Sequence, residues 1–202
     1  PSPPGWGMVG SGGGQVGGSL PTVGLSPCAW FTFENVYRRD PNAIEAMVAV
    51  LRQILEGLQA RGYRALLIPT MNPEDREVCE RLLQSGVDLL ETDPLTPSEI
   101  QGAIGSLHAL ISMRLHPVIF AFNVGTPFVA LNYASKVAEF CLRAGLEDRL
   151  VDLGDGWGEE TLRRFDSTDE LALRSRMANS HARLAAELEP AYQALWTWLG
   201  PR

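Results

Sequence analysis

The chain of 202 residues is poor in cysteine, in histidine and in positive charge, and it has no long hydrophobic run. Each shortage removes a class of function. Its three cysteines, Cys28, Cys79 and Cys141, lie far apart with no C-x-x-C pair. That excludes zinc-ribbon spacing and a disulfide framework, and predicts reduced thiols. No stretch approaches the roughly 18 apolar residues that a membrane helix needs. The start has neither the basic region nor the apolar core of a signal peptide, so the expected compartment is the cytoplasm. Seventeen Lys and Arg against 24 Asp and Glu give a formal charge of −7, which argues against general nucleic-acid binding. Carboxylates are scattered and no two histidines have ligand spacing, so no metal site is expected. What remains is a chain with an ordinary apolar fraction of 45%, long enough for one good domain with a tail.

Residues 1–20 hold eight glycines and three prolines. A segment so short of bulky side chains cannot bury enough surface to offset its ordering entropy. It is expected to be a flexible lead or linker, with residues 21–202 as the domain. The lead contains a chance G-x-G-x-x-G string. No strand precedes it and no helix follows it, as a dinucleotide fingerprint requires.

From Pro21 onward, short apolar runs alternate with helical patterns. Thr22–Ser26, Arg64–Pro69, Val87–Leu90, Ala109–Ser112, Phe128–Leu131 and Arg149–Asp152 read as strands, with a loop carrying Trp30, Phe31 and Phe33 after the first. Ile44, Met47, Val48, Leu51, Ile54, Leu55 and Leu58 mark one helical face, with Asp40 and Pro41 as cap and first turn and Gly62 as the stop. Further helices are expected over Pro73–Gln84, over Pro97–Leu107 behind Thr96 or Ser98, over Pro117–Asn123 with Gly125 closing it, and over Ser135–Ala144. This alternation predicts a Rossmann-like three-layer α/β sandwich with a mostly parallel sheet. Met177, His181, Leu184, Leu188, Ala191, Leu195 and Trp198 recur at steps of four and three. They predict a long amphipathic carboxyl-terminal helix that packs on the domain or on a partner. Pro190 would kink that helix unless a new one starts there.

The candidate site lies in Ala109–Lys136. Arg114 and His116 follow an apolar run and precede Pro117, which is favoured at the first helical position because its missing N–H was an orphan there anyway. Both residues therefore sit where a strand hands over to a helix, and where free N–H groups and the helix dipole favour an anion. Lys136 follows the next strand in the same way. Ligands of open parallel sheets bind beyond the carboxyl ends of the strands. The guanidinium of Arg114 can hold a carboxylate or phosphate at two points. The imidazole of His116 can donate to a phosphate oxygen or shuttle a proton. His108 and His181 read as structural, and Cys79 and Cys141 as small buried hydrophobes.

The run MRLH after a short strand, then a short helix, G-x-P-F-V-A-L, Tyr133 and Lys136, resembles the carboxyl-terminal part of the polysaccharide pyruvyltransferase family. The likeness is dense over Ala109–Gly145 and diffuse over Pro21–Asp93. It implies a transferase that moves pyruvate from phosphoenolpyruvate onto a sugar of a cell-wall or surface polysaccharide as a ketal. Phosphoenolpyruvate is then the donor substrate and no cofactor is needed. Arg114 and Lys136 would bind substrate, and His116 would be catalytic. The resemblance also implies a glycan acceptor, peripheral membrane association through a lipid-linked acceptor, and a GT-B-like architecture of two facing Rossmann-like halves. This chain supplies the carboxyl-terminal half, so a missing amino-terminal half or an oligomer would complete it.

The chain departs from the family pattern at two places in the site. Ala134 and Ser135 stand where the motif has Asp and Pro, and Cys28 stands where similar enzymes tend to have an Arg shortly before a Trp. Arg38 or Arg39 could replace that charge from the loop. Two other readings compete. One is a GT-B-like glycosyltransferase using a nucleotide sugar. The other is a non-catalytic sugar-phosphate or partner-binding module.

Overall fold

The computed structural model of the chain describes residues 20–29, 31–33, 36–38 and 41–200. The glycine-rich lead (apart from Leu20), the Asp40 cap, Trp30 and Arg39 lie outside that set. The first half of the chain runs β1 (Thr22–Ser26), β2 (Phe31–Phe33), β3 (Val36–Arg38), α1 (Pro41–Ala60), β4 (Arg64–Leu67), α2 (Glu74–Leu82), β5 (Val87–Leu89) and α3 (Pro97–Gly105). The second half runs β6 (Ala109–Ser112), α4 (Leu115–Val124), β7 (Phe128–Asn132), α5 (Ser135–Ala144), β8 (Leu150–Asp152), α6 (Trp157–Asp166) and α7 (Glu170–Leu199).

Six strands form one sheet in the order β5-β4-β1-β6-β7-β8, with every neighbouring pair parallel. Helices cover both faces, as central strands without alternation require. Val23, Leu25, Leu67, Leu110, Ile111, Val129 and Leu131 are all buried. Each such side chain contributes on the order of 2 kcal/mol by leaving water. From the central β1 the chain winds outward to β4 and β5, then crosses back to β6, β7 and β8. The winding direction therefore reverses between β1 and β6. That switch point opens a crevice at the carboxyl ends of the strands.

The fold is the expected Rossmann-like three-layer α/β sandwich with a parallel sheet, with local differences. Phe31–Phe33 and Val36–Arg38 pair as a two-stranded antiparallel ribbon, where a loop was expected. Helix α4 begins at Leu115, so Pro117 is its third residue rather than its first. The first N–H groups of any helix lack intrahelical acceptors, so proline costs no hydrogen bond there.

Helix α6 was not expected at all. Its Gly158 is buried against α1: a Cβ at that position would lie 2.6 Å from Val50 Cγ1. A Cβ on Gly57 of α1 would lie 2.5 Å from Leu162 Cδ1 of α6. Two glycines, one on each helix, allow this close approach.

Helix α7 runs through Pro190 without a break. Every residue from Ala185 to Leu199 is exposed, so water can serve the carbonyl that proline leaves without a donor. The first half of α7 is docked. Leu173 and Met177 are buried, Ser180 Oγ donates to the Ala144 carbonyl at 2.7 Å, and Arg176 pairs with Asp148 at 2.6 Å. Beyond Leu184 the same stripe continues with no part of the described domain beneath it, exposing Leu188, Tyr192, Leu195, Trp196 and Leu199.

Candidate functional site

Helices α4 and α5 leave adjacent strands and start side by side at the carboxyl edge. Glycines in left-handed conformation, Gly125 at φ +73° and Gly145 at φ +66°, end them. Their beginnings differ from those of α2, α3, α6 and α7, while α1 likewise has no acid in its first turn. Helix α3 has a full capping box between Thr96 and Glu99, and Asp169 caps α7. Helices α2, α3, α6 and α7 all carry acidic residues in the first turn. Helices α4 and α5 carry none, and neither receives a side-chain cap. Ala134, at the α5 cap position, has no oxygen to offer, whereas the family motif has Asp there. Two helix N-termini with no acid in the first turn together favour an anion.

Arg114 is the N-cap residue of α4 and only 8% exposed. Its Nε donates to Asp75 Oδ2 at 2.9 Å and its Nη2 to Asp75 Oδ1 at 2.5 Å. Asp75, in the first turn of α2, is fully buried. Its Oδ2 also accepts from the Met71 N–H at 3.0 Å and, more weakly, from Thr70 at 3.4 Å, and its Oδ1 accepts from Ala29 at 3.3 Å. Burial by itself would lower the pKa of Arg114. The hydrogen bonds and charge of Asp75, with smaller effects of Cys28 and Tyr133, outweigh it and hold the guanidinium above its ordinary value. Two of its donor nitrogens are thus committed to a protein carboxylate.

Tyr133 links the two cations. Its ring is buried, with the Arg114 Cζ 6.0 Å and the Lys136 Nζ 5.5 Å from its centroid. Cations at such distances are attracted to the ring quadrupole. Lys136 is the only lysine in the chain and is exposed in the first turn of α5. His116 is exposed in the first turn of α4, two residues after Arg114. The structure therefore brings Arg114 and Lys136 onto one ring, and sets His116 at the start of the helix that Arg114 caps.

Asp75 was missed in the sequence, although a signal was present. It shares its buried helical face with Val78, Cys79 and Leu82 at steps of three, four and seven. An acid on the apolar stripe of an amphipathic helix implies a buried partner.

The other candidates sit elsewhere. His108 stacks on Tyr63 at 5.0 Å and lies 3.2 Å from Glu170. His181 is exposed, with its ring 5.8 Å from that of Phe122. All three cysteines are buried, and burial pushes the Cys141 thiol up to about 12 and Cys79 higher still. Among the described residues no group of three or more His, Cys, Asp or Glu could hold a metal ion, and no helix is long and apolar enough to cross a membrane.

Comparison with known proteins agrees with the fold. The S. aureus MnaA–UDP co-structure superposes with a TM-score of 0.54 at 14% identity, covering 89% of this chain and 48% of that one. The E. coli ADP-heptose lipopolysaccharide heptosyltransferase II gives 0.54 at 16% identity, covering 79% and 48%. The α,α-trehalose 6-phosphate synthase of Burkholderia multivorans gives 0.53 at 13%, covering 84% and 40%. The chain spans less than half the length of each of these proteins, and at such identity the likeness is one of fold. The family model described as polysaccharide pyruvyl transferase matches residues 22–135, more than half of the chain, from β1 into the first turn of α5. With the RLH run capping α4 and the Tyr–Lys pair opening α5 at one edge of the sheet, the chain belongs to the polysaccharide pyruvyl transferase family.

Proposed function

We propose that this chain is the carboxyl-terminal, donor-binding half of an enzyme that transfers pyruvate from phosphoenolpyruvate to a sugar of a polysaccharide, forming a ketal. The observation that carries the proposal is the pair of acid-free, uncapped helix starts at α4 and α5. Arg114 and Lys136 lie near the Tyr133 ring there, and His116 stands in the first turn of α4. Phosphoenolpyruvate carries a carboxylate and a phosphate, and these groups offer it donors and positive charge.

The reaction begins with a proton added to the methylene carbon of phosphoenolpyruvate, which leaves a cationic C2. A sugar hydroxyl adds to C2 and loses its proton, and the C2–O bond to phosphate breaks with the electron pair going to phosphate. A neighbouring hydroxyl then adds to C2, loses its proton and closes the ketal. Lys136 and the helix N-termini offset charge on the departing phosphate, the kind of electrostatic support that dominates many rate enhancements. His116, exposed beside them, delivers a proton or holds a phosphate oxygen.

A second half would supply the acceptor side of the cleft. The exposed stripe on the end of α7 and the coverage of under half of each structural neighbour support that reading. A lipid-linked glycan as acceptor, and a cytoplasmic site of action at the membrane surface, belong to the same proposal.

Because Lys136 is the only lysine, [15N]lysine labelling yields one backbone amide signal, placed in the site itself. Titration with phosphoenolpyruvate is expected to shift that signal. His116→Ala or Lys136→Ala should weaken calorimetric binding at least tenfold, about 1.4 kcal/mol. Tight binding of a nucleotide sugar with no response to phosphoenolpyruvate would reassign the chain to nucleotide-sugar transfer. Indifference to both would leave a non-catalytic binding module.

A further inference from the structure

We propose that Asp75 is a positioning residue of the anion site, a buried carboxylate that locks three loops of the carboxyl edge into one unit. The sheet topology gives such a residue a place to act. The loops after β1 and β6 leave the crevice in opposite directions, and the chain passes from one side to the other only by the long connection through α3. Asp75 reaches it from α2, on the β4 side. There it accepts from Ala29 in the loop after β1, from Met71 and Thr70 in the loop after β4, and from Nε and Nη2 of Arg114 in the loop after β6. Five donors converge on two oxygens, and the residue is fully buried. A carboxylate so enclosed, with both oxygens taken up by protein donors, has no contact with substrate, so its role is to hold rather than to react.

The pairing also redistributes the work among the cations. With two of its nitrogens held by Asp75, Arg114 acts chiefly as a strut that fixes the start of α4 and the ring of Tyr133 beneath Lys136. The charge presented to an incoming anion then comes mainly from Lys136, with His116 and the positive ends of the two helix dipoles beside it. This consequence rests on the anion-site reading above. The coupling of three loops does not.

Both parts are tested with Asp75→Asn, which keeps the size of the side chain but can no longer accept from every donor. Hydrogen exchange by NMR should show the Ala29 and Met71 amides and the Arg114 Nε–H speeding up together by tenfold or more, with amides of β7 unchanged. Faster exchange at Met71 alone, with Ala29 and Arg114 at wild-type rates, would overturn the proposal. Calorimetry with phosphoenolpyruvate should show at least a tenfold loss of affinity per folded molecule. An unchanged affinity accompanied only by a lower melting temperature would mean a merely structural role, and would also overturn it. Wild-type protein that ignores phosphoenolpyruvate would defeat the functional reading, and the exchange experiment would still decide the role of Asp75. Should Asp75→Asn fail to fold, Arg114→Lys keeps the charge, loses the two-point grip and is read at the Ala29 and Met71 amides and by the same calorimetry.

Discussion

The amino edge of the sheet and the carboxyl ends of β6 and β7 treat charge in opposite ways. At the amino edge cations meet acids. Arg61 grips Asp166 at 2.7 Å, Arg64 meets Asp88 at 2.5 Å, and His108 lies 3.2 Å from Glu170 within a cluster of rings from Tyr63 and Phe165. At the carboxyl ends of β6 and β7 the first turns of α4 and α5 bring cations and no acid. The one carboxylate found hydrogen-bonded to Arg114 is buried beneath them. Matched charges stabilise a surface only weakly, whereas cations beside helix starts that carry no acid favour an anion. The first edge serves the fold, and the second is the one that the proposal above assigns to a ligand.

Substitutions can break this contrast. The largest effect is expected from Arg114→Ala, which leaves Asp75 buried without its charge partner. A loss of about 3–5 kcal/mol in denaturant unfolding is predicted. Next comes Gly158→Leu, which drives side-chain atoms into Val50 and should cost about 1–3 kcal/mol without touching either edge. Binding should separate the edges more sharply than stability does. Lys136→Ala should cost at least tenfold in phosphoenolpyruvate affinity, and His108→Ala less than twofold.

Capping offers a mirrored pair. Thr96→Ala removes the α3 cap and should cost about 1 kcal/mol, while Ala134→Asp supplies one to α5 and should gain up to about 1 kcal/mol in thermal unfolding.

The smallest effect concerns α7. Arg176, through its hydrogen bonds and then its charge, holds the Asp148 carboxyl below its ordinary 3.8. A carboxylate with a lowered folded-state pKa stabilises above its unfolded value and loses that contribution as pH falls from about 3.8 through the folded value. Asp148→Asn should therefore cost about 0.5 kcal/mol at neutral pH, given the exposure of the pair, and nothing well below that window.

Much of this was legible from residue order. Strand β1 and helix α5 begin and end where the pattern placed them, because an apolar run bounded by turn residues and a periodic face ending in glycine are local signals. The seven apolar positions read on α1 are all buried. The positions of Arg114 and Lys136 at neighbouring strand ends also followed from spacing.

Other features depended on neighbours distant in sequence. Helix α6 is mostly polar, and its docking relies on a glycine that makes sense only against the glycine of α1. The stripe of α7 is uniform in sequence, yet half of it is docked and half exposed, because the described domain ends beneath it. Asp75 looked like an ordinary first-turn acid beside Glu74.

Local chemistry determined the alternation of strands and helices, the anion-favouring helix starts and the cations placed on them, since those depend on residues a turn or two apart. The tertiary structure alone decided that Asp75 and Arg114, 39 residues apart, share a buried bond. It alone put the guanidinium and the ammonium on one tyrosine ring. Such pairings follow from the order in which strands assemble. That order is set by burying the whole apolar surface at once, and no short stretch of chain encodes it.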